Sequence, residues 1–194
     1  MRVLYGIMVA LALSAIAPAW SVVSPARATM PASERAGRLD RLFTELKAAT
    51  TEDEADPIVA EIWSTWALSG SPQVDEVMER AVSLMGMGAL GMALEVLDSV
   101  VAMAPDFAEG WNKRATTLFH IGEYDRSLKD CEEVLRREPR HFGALAGMGL
   151  IALRQGRHRD ALEAYRRALK VNPFLKERHQ LIPALERSVG DREL

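Results

Sequence analysis

Cysteine is almost missing from this chain: Cys131 stands alone among 194 residues, so no disulfide can form within it. A large excess of charge of either sign is lacking too. The formal net charge is −3, too small to mark nucleic acid or an anionic membrane surface as the main partner. The histidines, His120, His141, His158 and His179, are scattered, with no pair three to five residues apart and no cysteine pair to complete a zinc site of ordinary spacing. Serine, aspartate and glutamate are plentiful but fall in no recognisable catalytic order. The glycines of 143–149 follow no strand and lack the Lys-Ser/Thr ending of a phosphate loop, so close helix packing accounts for them better. These absences argue against an enzyme: no catalytic residue, no metal and no cofactor is expected.

Long apolar runs are also missing, with one exception at the start. Arg2 precedes an uncharged stretch from Val3 to Ala17, Pro18 breaks it, and Ala26-Arg27-Ala28 ends the region with small residues two apart. The run is shorter than the roughly 20 residues that a membrane-spanning helix needs, and its end suits signal peptidase. Residues 1–28 are therefore expected to be a signal peptide cut after Ala28, and the mature chain to be periplasmic with no membrane span. A chain exported with one cysteine must rely on apolar packing alone. Its charge is uneven. Residues 29–107 hold 5 Lys/Arg against 14 Asp/Glu, and residues 108–194 hold 17 against 13.

What is present favours helix. Hydrophobic residues make up 48% and charged residues 26% of the chain, with alanine, leucine, arginine and glutamate prominent. A fixed period organises them. Pro105, Pro139 and Pro173 are 34 residues apart, and so are Gly88, Gly122 and Gly156. After each glycine runs an apolar series at helical spacing: Leu90, Ala93, Leu97, Val100; then Tyr124, Ser127, Cys131, Val134; then His158, Ala161, Tyr165, Ala168. Before each glycine lies another: Val77, Ala81, Leu84; Trp111, Ala115, Leu118; Leu145, Gly149, Ala152. The small residue in the middle of each first helix lets its partner approach, the glycine turns the chain, and the proline stops the second helix. Cys131 falls in a helix-contact position and is expected to be an inert packed thiol.

These small, aromatic, glycine and proline positions resemble the tetratricopeptide repeat (TPR). The resemblance implies an all-α solenoid of antiparallel helix pairs in a right-handed superhelix. The repeats read as 74–107, 108–141 and 142–175. Residues 29–73 form a degenerate, TPR-like pair, with Leu39, Leu42, Phe43 and Leu46 on its first helix and Trp63 and Trp66 as core anchors on its second. Residues 176–194 form a capping helix and tail, with Leu175, Ile182, Leu185 and Val189 covering the last repeat, Pro183 expected to kink or shorten the helix, and a frayed end from Gly190. The segments 107–115 and 140–147 are similar to stretches in short exported TPR proteins of alphaproteobacteria, which implies an envelope-associated protein.

In such a stack the first helix of each pair lines the concave wall. The partner-binding face is expected to comprise Asp75, Met78, Val82 and Met85; Glu109, Asn112, Thr116, Phe119 and His120; and Leu150, Leu153 and Arg154, beside Gly143 and Ala146. His120 and His141 could meet there. Repeats that grip a C-terminal carboxylate carry Lys, Arg and Asn on this wall, whereas Val82, Thr116, Ala146 and Leu150 stand here, so a partly apolar helix or extended peptide suits it better. The function expected is a non-catalytic adaptor or scaffold that holds a protein or peptide in the periplasm and supports the cell envelope. The alternative is an accessory or regulatory subunit of an envelope enzyme. Oligomeric state is open.

Overall fold

The computed structural model describes residues 30–190, so the expected leader with its cleavage point and the last four residues lie outside the described part. Among the described residues the chain is helical throughout. The helices are α1 (Ala32–Ala48), α2 (Glu52–Trp66), α3 (Pro72–Gly86), α4 (Leu90–Met103), α5 (Ala108–His120), α6 (Tyr124–Arg137), α7 (Phe142–Arg154), α8 (His158–Val171) and α9 (Leu181–Gly190). A 3₁₀ turn, Lys176–Arg178, precedes α9. None of these helices is long and apolar enough to cross a membrane.

The punctuation read from the sequence is the punctuation observed. Gly88, Gly122 and Gly156 each sit at positive φ, 74°, 87° and 71°, in the tight turn inside a pair, a conformation that side chains with a Cβ rarely adopt. Pro105, Pro139 and Pro173 occupy the turns after α4, α6 and α8. Pro72 does something else. It is the first residue of α3, where its missing N–H is not needed, and Ser71 caps the helix from the residue before. Pro183 likewise falls in the first turn of α9, so no kink follows.

Each pair closes on the expected stripe. Ala81 packs with Leu97, and Ala115 with Cys131, all of them buried. In the third repeat the equivalent partners are Gly149 and Tyr165, and a Cβ on Gly149 would stand 2.7 Å from the tyrosine ring. The largest partner thus faces the residue with no side chain. Gly149→Ala should gain about 1 kcal/mol of helix propensity and lose about 1–3 kcal/mol to overpacking, a net destabilisation. Combined with Tyr165→Leu, the same substitution should stabilise relative to Tyr165→Leu alone. Urea melts of the four chains check that reversal of sign, and a stabilising single variant would place the ring elsewhere.

Successive pairs stack through α4 on α5 and α6 on α7. The first helices α3, α5 and α7 also approach one another, whereas no comparable approach joins α4 to α6 or α6 to α8. Curvature therefore puts α3, α5 and α7 on the inner wall. Arg114 ties neighbouring second helices together, with Nη1 on Asp98 Oδ1 at 2.8 Å and Nε on Asp130 Oδ2 at 2.7 Å. Its guanidinium and that of Arg137 each lie 4.7 Å from the Trp111 ring. Helix α9 covers the far end, with Ile182 and Leu185 buried against Leu162 and Tyr165.

The N-terminal pair is placed differently. Helices α1 and α2 form an antiparallel hairpin with its own apolar centre of Leu39, Leu42, Phe43, Leu46, Ala55, Ile62 and Trp66. The hairpin does not stack closely on α3 as α4 stacks on α5. It lies instead against the starts of α5 and α7 and the end of α8, with Phe142 buried in its core and Val171, Phe174 and Leu175 packed at the margin. Ion pairs fix its flank and far end, Asp40 with Arg140 at 2.7 Å and Glu52 with Arg178 at 2.5 Å, and His179 Nε2 lies 2.9 Å from the same Glu52 oxygen.

Candidate functional site

The inner wall begins at the start of α7, where glycine matters most. A Cβ on Gly143 would stand 2.4 Å from the Trp63 ring, so α2 lays its indole where a side chain of α7 would otherwise project. Trp63 meets Trp66, Phe142 and His141 edge-on at centroid separations of 5.2, 5.3 and 5.4 Å. Trp66 stacks flat on His141 at 4.1 Å with 14° between the rings. The two tryptophans are core anchors, as their spacing suggested, and what they anchor is the hairpin to the repeats.

Beneath them sits a buried polar cluster. His141 caps α7: its Nδ1 accepts the Ala144 N–H at 3.0 Å, which places the imidazole proton on Nε2. Nε2 lies 3.1 Å from Glu109 Oε2, and the Asn112 amide donates to the same oxygen at 3.0 Å. Lys113 Nζ stands 2.9 Å from Glu109 Oε1. Burial pushes the Glu109 carboxyl upward, but the hydrogen bond from His141 and the charge of Lys113 more than offset it and hold the group below the ordinary carboxylate range. Every donor around Glu109 thus favours its charged form. This cluster was not foreseen. The expectation that His120 and His141 could meet is overturned: His120 ends α5 in solvent, while His141 is fully buried beside the start of α5. The length of the helix, about 18 Å, separates the two ends.

The residues expected on the concave face divide into three sets. Met78 is buried in the α3–α4 core, and Met85 packs against the same core. Leu153 packs against the α7–α8–α9 core, and Phe119 against that of α5 and α6, its ring 5.5 Å from Tyr124. All four residues, expected on the partner-binding face, thus pack in or against the cores of the helix pairs. An inner helix packs on its own partner and on the next repeat, so its apolar arc is wider than one stripe. Glu109 and Asn112 are spent inside the polar cluster, only 3% and 8% exposed. Asp75 is half-buried and accepts the Ser69 N–H at 2.9 Å. Val82, His120, Leu150 and Arg154 are exposed, and Thr116, half-buried, donates its hydroxyl to the Asn112 carbonyl at 2.9 Å.

Two concavities remain on this wall. One, of about 490 Å³, lies between the end of α2 and helices α3 and α5, where Ser64, Ala67 and Leu68 face Asp75, Met78, Val82, Glu109 and Lys113. The other, of about 120 Å³, lies between α5, α6 and α7 and brings together Asn112, Thr116, Phe119, His120, Gly143, Gly147 and Leu150 over Ala115, Ser127, Cys131 and Ile151. Met85, Leu153 and Arg154 line neither. Burial pushes the Cys131 thiol up to about 12, so the sulfur on this floor is a packing group and no nucleophile. Among the described residues no group of three or more His, Cys, Asp or Glu side chains could hold a metal ion.

The sequence profile of the tetratricopeptide repeat matches residues 78–141 and 115–176. A TPR repeat-containing protein of Rhizobium etli is 39% identical over 156 residues, which is 80% of this chain and 76% of that one. The small glutamine-rich tetratricopeptide repeat-containing protein 2 of Mycosarcoma maydis is 25% identical over 106 residues, 55% of this chain and only 29% of that protein. Among solved structures, MamA superposes with a TM-score of 0.57 at 19% identity, covering 83% of this chain and 82% of MamA. The first TPR of Spaghetti, bound to an HSP90 peptide, superposes with a TM-score of 0.58 at 14% identity, covering 60% of this chain and 93% of that domain. At these identities the likeness to solved structures is one of fold. With half the chain matched by the family profile and most of it matched by the Rhizobium relative, the chain belongs to the tetratricopeptide repeat family.

Proposed function

We propose that this protein is a non-catalytic adaptor that holds a protein or peptide on the inner wall of its repeats, and that it does so in the periplasm in support of the cell envelope. The observation that carries the binding role is the pair of concavities on the inner wall, rimmed by the exposed apolar side chains of Val82 and Leu150. Exposed apolar groups beside a preformed hollow are what a partner side chain needs. The periplasmic assignment rests on the uncharged 3–17 run and the Ala26-Arg27-Ala28 end. TPR proteins generally mediate contacts between proteins, and the Spaghetti domain is seen with a peptide bound.

Site-specific photo-crosslinking in living cells tests both halves. A photoreactive residue at Leu150 should yield a discrete adduct recovered from the envelope fraction, and one at the exposed Lys129 on the outer helix α6 should not. Equal yields at the two positions would remove the inner-wall reading. An adduct found in the cytoplasm would remove the periplasmic one. An enzyme as the captured partner would make the protein an accessory subunit.

A further inference from the structure

The face of α7 turned to the inner wall carries Gly143, Gly147, Leu150 and Arg154 at helical spacing, and its first two positions have no side chain. The first gap is filled from outside the helix by Trp63. The second is not. Nothing but Cys131 Sγ, at an ordinary 3.6 Å, would meet a Cβ on Gly147, and the 120 Å³ hollow opens there. An apolar cavity of about 150 Å³ takes a benzene ring, so this one suits a single aliphatic side chain. No carboxylate lines the hollow, and beside it Arg154 lies exposed with its guanidinium 5.8 Å from the Phe119 ring and no ion pair among the described residues.

Resting on the adaptor reading above, we propose that the hollow at Gly147 is a socket for an extended acidic peptide, which seats one aliphatic side chain between α5 and α7 and a carboxylate on Arg154. The spacing follows from the helix. Seven residues separate Gly147 from Arg154, about 10 Å at 1.5 Å per residue. An extended chain covers that distance in about three residues. The partner therefore carries leucine, valine, isoleucine or methionine with Asp or Glu three residues away. The carboxylate is a side chain, so a free C-terminus is not needed.

The probes are capped decapeptides of serine and glycine carrying one leucine and, three residues to either side of it, one glutamate. Titrated at millimolar concentration into the isotope-labelled full chain, one of the two should shift the amide resonances of Gly147, Leu150, Arg154 and Thr116. Replacing its leucine by alanine should weaken binding about tenfold or more, and replacing its glutamate by lysine about fivefold. Arg154→Glu should reverse the preference between glutamate and lysine, and Leu150→Glu, at an exposed position, should abolish binding without altering the rest of the spectrum. Shifts that are absent, scattered, or indifferent to Arg154→Glu overturn the socket. A discrete crosslink at Leu150 alongside peptides that fail leaves the adaptor standing without this socket. Binding of the peptides without any crosslinked partner removes the adaptor and keeps the socket.

Discussion

Trp66→Ala should cost about 3–5 kcal/mol, the range for losing a buried tryptophan side chain. Trp66 is 5% exposed, stacks on His141, and touches Phe43, Trp63 and Phe142, so one ring joins both helices of the hairpin to the start of α7. Its loss should separate the two bodies before either unfolds. Chemical denaturation followed by tryptophan fluorescence and by far-ultraviolet dichroism should then give two non-coincident transitions where the parent gives one. Trp66→Phe should cost far less. The buried Nε1–H finds no acceptor among the described residues, so phenylalanine removes an unpaired donor along with part of the area. Coincident transitions in Trp66→Ala would show that the hairpin is held by something other than this ring.

Glu109→Ala should be nearly as damaging, about 3–5 kcal/mol, because it leaves buried donors without their acceptor. The His141 Nε2–H and the Asn112 amide both point at the carboxylate that would be gone. The effect should depend on pH in a definite direction. The carboxyl of Glu109 is held below its ordinary 4.5, so the unfolded chain binds the proton more readily than the folded one. The stability carried by its ionisation is complete above that ordinary value and is lost as pH falls through the lower, folded one. The gap between melts of the parent and Glu109→Ala should be full above the ordinary carboxyl value of 4.5 and narrow as pH falls below it. A gap that stayed constant through that lower range would mean the carboxylate charge contributes nothing.

Much of the fold was legible because the signals were chemical and periodic. Gly88, Gly122 and Gly156 need a backbone that glycine alone adopts readily, and Ala81, Ala115 and Gly149 need a partner helix too close for a larger group. The site was less legible. A helix whose apolar arc serves two neighbours shows no boundary between core and groove, which is why Met85 and Leu153 read as wall and pack as core, while Met78 serves both. The seating of the hairpin left a trace that went unread. Glu76 and Ser83 are exposed on α3, one period before buried Gly110 and Thr117 and two before buried Ala144 and Ile151. A helix with glutamate and serine at its stacking positions has no stack upstream. Glu109 and His141 could not be paired from sequence, since they stand 32 positions apart with most of α5 and all of α6 between them.

The seating of the hairpin also decides which part of the molecule can flex. A solenoid behaves as a coil spring, its pitch changing through small rotations at each junction between repeats. Trp63 lies across Gly143 of α7 and under Lys113 of α5, so any rotation between the α5–α6 and α7–α8 pairs would shear it from one of them, and that junction is splinted. The α3–α4 pair is joined to the others mainly through α4 on α5 and the Arg114–Asp98 ion pair, and among the described residues no ring of the hairpin lies across that junction. Elastic motion should therefore concentrate at that hinge, leaving the hollow at Gly147 at a fixed width and varying the wider one beside Val82, like a jaw working against a fixed anvil.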